Sequence, residues 1–150
     1  MFSKELNGDL FNSTDSLAHC VSSDMKMSRG IAVQFVKHFP GLGQLTSIQG
    51  IGGVIVLQSG SRYIFNLVTK LKFYHKPKYC GLRLCLENLQ NILLMLGVTR
   101  LSIPHLACGL DGLSWDKVRS MIRCALGNIS NICVTVYSIS TQCVRYLSFI

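Results

Sequence analysis

At 150 residues, with 49% hydrophobic and 15% charged side chains, the chain has the material for a single folded domain with a sizeable core, and its composition excludes disorder as the default state. Fifteen basic residues against seven acidic ones give a formal charge of +8, which favours an anionic partner without saying which. No apolar run approaches the ~18 residues of a membrane helix, and the opening stretch MFSKELNGDLF lacks the apolar segment of a secretory signal. The expectation is a soluble protein that is neither secreted nor membrane-bound.

In chain order, SKELN is a short, polar stretch for a first strand, and GDLF follows it at residues 8–11. SLAHCVS (16–22) reads as a buried strand. The segment from Arg29 to Phe39 carries Ile31, Phe35, Val36 and Phe39 at helical spacing, with Pro40 as its stop. GGVIVLQSGSRYIFNLVTK (52–70) reads as two strands joined in a hairpin at Ser59-Gly60-Ser61. Leu82, Cys85, Leu86, Leu89, Leu93 and Leu96 mark a long amphipathic helix, and Gly97 stands where a helix closes. RLSIP is then a strand, 114–126 a helix with Ser114 as its N-cap, and ICVTVYSI (132–139) a buried strand. Residues 140–150 are an extension that could lengthen the last strand, pair at an edge or form a tail. Alternating strands and helices from about residue 50 onward predict an α/β layered domain, in which ligands bind beyond the carboxyl ends of the strands.

Seven scattered cysteines form no CxxC pair, and most lie among Leu, Ile and Val, as buried reduced thiols do. Four histidines (19, 38, 75 and 105) share no ligand spacing, so no metal is expected. In a reducing compartment, the sequons at Asn12 and Asn128 carry no glycan.

Four local features have two readings each. The loop IPHLACGLDG (103–112) links a strand to a helix; its small residues would let backbone N–H groups approach an anion, while Asp111 alone reads most simply as a helix-leading carboxylate. SSDMKMSRGIA (22–32) also runs from strand to helix, and Gly30 could cradle a diphosphate or simply turn the chain. Asp9 could accept from an adenine amino group or cap a turn. Lys70 alone is a solvated lysine at a strand end.

Together, GDLF, SLAHCVSSD, the MSRGIA turn, RYIFNLVTK, HKPKY before a helix, GVTRLSIPHLACGLDGLSWDKV and CVTVYS resemble, in order and spacing, the macro domain family. Within it the chain is similar to the small terminal ADP-ribose protein glycohydrolases, over about residues 5–139. The resemblance implies one domain spanning residues 1–150, with a three-layer α/β/α fold around a central mixed sheet and ADP-ribose over the strand ends. It implies Asp9 and Leu10 at the adenine, Ser22, Gly30 and Ile31 along the diphosphate and distal ribose, His105, Leu106, Ala107, Cys108, Gly109 and Leu110 as a second phosphate loop, and Ile139 near the adenine. It implies Lys70 and Asp111 as the catalytic pair, with no cofactor. The chain departs from the family pattern in having Ala107 where the family has glycine, and Ser28-Arg29 in place of a glycine-rich turn.

The chemistry fits such a pair. An ester at the anomeric ribose carbon masks an aldehyde, which a neutral lysine amine can attack to form a Schiff base. Partial burial favours the neutral amine, and an aspartate beside it can act as general acid or base. The expected activity is removal of ADP-ribose from glutamate or aspartate in mono-ADP-ribosylated proteins, with O-acetyl-ADP-ribose as a related substrate. The alternatives are a macro domain that binds ADP-ribose without turnover and a nucleic-acid-binding domain. The last is disfavoured, because the basic residues read as lacking interleaved aromatic platforms. A monomer in nucleus or cytoplasm is expected.

Overall fold

The computed structural model describes residues 1–45 and 49–138. Among these, the strands β1 (Phe2–Asn7), β2 (Ser16–Ser22), β3 (Val54–Ser59), β4 (Arg62–Lys70), β5 (Arg100–Ile103) and β6 (Cys133–Ser138) form one sheet in the order β1-β6-β5-β2-β4-β3. The helices are α1 (Ile31–His38), α2 (Tyr79–Leu96) and α3 (Trp115–Leu126). Only the β3–β4 hairpin is antiparallel among the paired strands described. The sheet is therefore mixed, as expected.

Alternation along the central strands builds two cores, because successive strand side chains point to opposite faces. Leu17 and Ile64 join Leu10, Phe35, Phe39 and Leu42 on the α1 face. Ala18, Phe65 and Leu67 face the other way, into the larger core with α2 and α3. The result is a three-layer arrangement. In α2 the buried stripe Leu82, Cys85, Leu86, Leu89 and Leu93 follows the helical repeat and lies against the sheet. Each fully buried leucine contributes about 2 kcal/mol. Gly97, at φ 67°, closes α2: its N–H donates to the Leu94 carbonyl and the Val98 N–H to that of Leu93, the pairing that satisfies the last free carbonyls.

The hairpin turns at Gly60, whose φ of 62° suits the first loop position, with Ser59 and Arg62 paired across it. The first helix is shorter than expected. It ends at His38, and Pro40 opens a 3-10 stretch through Gln44. Ser114 has the extended backbone of an N-cap but its side chain makes no capping bond. Instead its N–H donates to the Tyr79 hydroxyl at 2.9 Å, so the first residue of α2 steadies the start of α3.

The polar stretch SKELN does form a strand with Phe2 before it, parallel to β6 over six residue pairs. It lies at the sheet edge, where polar residues are tolerated. Glu5 also ties it to α3, accepting from Trp115 Nε1 at 2.9 Å and from both Nε and Nη2 of Arg119 at 3.0 and 3.1 Å. These bonds hold the Glu5 carboxyl below its usual range.

A polar pair, His19 and Asn66, lies deep in the α1-side core. His19 is fully buried, stacks on Phe35 with ring centroids 3.7 Å apart, and meets Asn66 Oδ1 through Nε2 at 2.6 Å. Asn66 spends its amide protons on the Ile55 and Ile64 carbonyls, so the imidazole Nε2 must be the donor. Among the described residues, Nδ1 has no hydrogen-bond partner. Burial pushes the imidazole pKa down to about 4.

Candidate functional site

Strands β5, β2 and β4 are parallel neighbours, so the loops that leave their carboxyl ends emerge together. These loops are residues 104–114, 23–30 and 71–78. A register shift between Val21 and Ser22 sets Ser22 opposite Lys70 at this end of the sheet. Such convergence is where open α/β sheets bind ligands.

Lys70, the last residue of β4, and Asp111, 41 positions later, meet here. Nζ donates to Oδ1 at 2.7 Å, and the two side chains are 15% and 20% exposed. The pair is thus reachable from solvent yet mostly screened from it. Cys20 and Cys108 lie in the same electrostatic neighbourhood. Burial, with Asp111 adding its negative charge, pushes both thiols up, Cys108 to about 11. Protonated thiols are poor nucleophiles, so neither cysteine is activated in this arrangement.

The predicted phosphate loop runs from His105 to Leu110. Ala107 has φ 59°, the left-handed region that glycine enters freely and an L side chain enters at a cost of about 1–2 kcal/mol. The glycine expected at this position is thereby explained: the loop keeps the glycine conformation although the residue is alanine. Ala107 and Leu106 are buried, whereas Gly109 and Leu110 are exposed. The Ala107 carbonyl accepts from Leu113 N–H at 2.9 Å, folding the loop back on itself. Gly109 is exposed, and a Cβ there would meet nothing. His105 stacks on Trp115, rings 4.2 Å apart, and partial burial lowers its pKa.

Facing this loop is the turn into α1. Gly30 has φ 61° and ψ −145°, and a Cβ on it would lie 3.4 Å from Leu110 Cδ1. The two predicted phosphate loops therefore approach one another at Gly30 and the exposed Leu110, and Ile31, next in the chain, is half-buried. The structure brings together Lys70, Asp111, Gly30, Leu110 and the 105–109 backbone.

Ser22, Asp9 and Leu10 have the following surroundings in the fold. The Ser22 hydroxyl is buried and donates to Asp24. Asp9 accepts the Phe11 N–H at 2.9 Å, the turn-capping role, and Leu10 points into the core. Gly8 lies beside the Tyr137 ring, 3.8 Å from a Cβ built there. Ile139 lies outside the described residues.

The β4–α2 loop contributes residues that sequence reasoning passed over. Asp24 accepts the Phe73 N–H at 3.1 Å, and Lys76 Nζ donates to the Leu110 carbonyl at 2.6 Å. The HKPKY motif was the available signal, but nothing in it says where Lys76 reaches. No group of three or more metal-ligating side chains is found among the described residues, and no helix there is long and apolar enough to cross a membrane.

No family model matches the chain. It is 44% identical over 137 residues to human ADP-ribose glycohydrolase OARD1, spanning 89% of this chain and 90% of that protein. The chain belongs to the macro domain family. The macrodomain of Thermus aquaticus DarG superposes with a TM-score of 0.80 at 28% identity, covering 91% of this chain and 98% of the other. The DNA ADP-ribosyl glycohydrolase of Thermus aquaticus is 30% identical over 134 residues, which span 82% of this chain and 37% of that protein. In this macro domain, the Lys70–Asp111 pair sits at the mouth formed by the three strand-end loops.

Proposed function

We propose that this macro domain hydrolyses the ester linking ADP-ribose to glutamate or aspartate side chains, with Lys70 as nucleophile and Asp111 as general acid and base. That it is a hydrolase rests on its relatives, which include proteins named ADP-ribose glycohydrolase at 44% identity. The observation that carries the residue-level reading is the 2.7 Å contact between Lys70 Nζ and Asp111 Oδ1.

A lysine must shed a proton to attack, and Asp111 is the acceptor in hand. The amine nitrogen then bonds to the anomeric carbon, and the target carboxylate leaves with the electron pair of the broken C–O bond. Opening of the ribose ring gives a Schiff base. Asp111 assists water in adding to that carbon, the C–N bond breaks, and ADP-ribose and the free amine result. Backbone N–H groups of the 105–109 loop and the turn at Gly30 would hold the diphosphate. Arg29, where the family has a glycine-rich turn, is positioned in sequence to pair with a phosphate.

A second reading concerns the carrier of the ADP-ribose. Tyr74 is 64% exposed beside Phe73, with exposed Lys72, Lys76 and Lys78 around them. Aromatic rings set among lysines suit a nucleic-acid strand, and some relatives are named DNA ADP-ribosyl glycohydrolase.

The deciding experiment follows free ADP-ribose released from a glutamate-linked peptide, from O-acetyl-ADP-ribose and from an ADP-ribosylated oligonucleotide. Release from the peptide supports the first reading. Release confined to the oligonucleotide supports the second. Binding of ADP-ribose with no release from any substrate would leave a binding module.

A further inference from the structure

We propose that Lys76 is a positioning residue for the reaction, holding the peptide plane from which Asp111 approaches Lys70. The proposal rests on the hydrolase reading above and deepens it.

Lys76 is exposed and takes no part in the core. Its ammonium nonetheless crosses from the β4–α2 loop to the Leu110 carbonyl at 2.6 Å, a charge-assisted bond. The Leu110 carbonyl and the Asp111 N–H belong to one rigid peptide unit. Fixing that carbonyl therefore fixes the direction in which the Asp111 backbone leaves it. The segment lies between Gly109 and Gly112, the latter at φ 82°. The Gly112 N–H closes it on the Gly109 carbonyl at 3.2 Å and the Leu113 N–H on that of Ala107 at 2.9 Å. Both bonds are internal to the 104–114 loop, whereas Lys76 ties the Leu110–Asp111 peptide to a different element.

The far side of Lys76 is anchored. Asp24 accepts the Phe73 N–H at 3.1 Å, and its own N–H donates to the Leu71 carbonyl at 3.2 Å. Lys72 and His75 close a turn in both directions: His75 N–H donates to the Lys72 carbonyl at 3.0 Å, and Lys72 N–H to His75 Nδ1 at 3.3 Å. Pro77 is buried. Lys76 thus extends from a fixed stem, and Tyr79, two residues beyond Pro77, holds the Ser114 N–H at the other end of the Asp111 segment. The β4–α2 loop and the first residue of α2 therefore grip the segment at both ends.

The test compares the wild type with Lys76→Met and Lys76→Arg in steady-state release of ADP-ribose, alongside amide hydrogen exchange across 109–113. Met keeps the length of the side chain and removes the donor; Arg restores a donor. Because a misplacement of about 1 Å costs on the order of 100-fold, Lys76→Met should lose about 10- to 100-fold in kcat with KM changed less than about threefold. Lys76→Arg should recover most of that loss, and exchange at 109–113 should quicken in Lys76→Met alone. Unchanged kcat in Lys76→Met, or unchanged exchange, overturns the proposal while the hydrolase reading stands. If the wild type itself releases no ADP-ribose, the hydrolase reading falls, and the catalytic role of Lys76 with it.

Discussion

Gly30→Ala probes the contact between the two loops most sharply. At φ 61° and ψ −145°, Gly30 lies in a region that only glycine populates readily, and an alanine forced there costs about 1–3 kcal/mol. The added Cβ meets Leu110 Cδ1 at 3.4 Å, an ordinary contact, so the cost comes from the backbone and not from a clash. For a chain of this size, that range lowers Tm by roughly 3–10 °C. The loop can shed the strain only by rotating to negative φ, which turns its N–H groups and changes the gap to Leu110. Affinity for ADP-ribose should then fall about tenfold or more, equivalent to about 1.4 kcal/mol. Thermal unfolding and isothermal titration with ADP-ribose measure the two effects. A variant with wild-type Tm and wild-type affinity would refute both the backbone assignment and the placement of the diphosphate.

Two further predictions concern strain and protonation. Ala107→Gly relieves about 1–2 kcal/mol of left-handed strain but loses a buried methyl worth about 0.8 kcal/mol and adds backbone entropy of about 0.5–1 kcal/mol. Tm should therefore shift by no more than about 3 °C, while ADP-ribose binds more tightly; weaker binding would contradict the loop's role. His19 is neutral in the fold until about pH 4, whereas the unfolded chain takes up this proton near its ordinary 6.5. Its contribution is complete above that value and is lost as pH falls from 6.5 toward 4, a change of roughly 3 kcal/mol. Urea unfolding across that range should show the loss in the wild type and a flatter limb in His19→Gln. Glu5, Asp15 and Asp24, whose pKa values are lowered, lose their contributions at still lower pH. An imidazole NMR titration of His19 with a midpoint near 6.5 would overturn this.

What the sequence made legible follows from how far each signal acts. The α2 stripe repeats locally, and Gly97 marks its end, so the helix is readable within one window. The β1 strand is not, because its polar residues carry no alternation. It exists through the β6 ladder and the reach of Glu5 to Trp115 and Arg119, over a hundred residues away. The Lys70–Asp111 pair is an intermediate case. Family resemblance singles out both residues, yet their contact depends on β2 lying between β4 and β5, which no spacing in the chain announces. Side-chain direction around the candidate site was the least legible feature. Leu10, Ser22 and Leu106 are buried, but irregular segments and strand ends have no period to tell which side chains turn inward. Ser114 likewise has the capping backbone, while Tyr79, 35 positions away, supplies the bond.

The most direct test of the central claim is single-turnover release of ADP-ribose from a glutamate-linked peptide under a Schiff-base-trapping reductant, followed by mass mapping of the protein. The account predicts ADP-ribose trapped on the peptide carrying Lys70, no trapped adduct and no release in Lys70→Ala, and release slowed on the order of 100-fold or more in Asp111→Ala. Undiminished release by Lys70→Ala would contradict it.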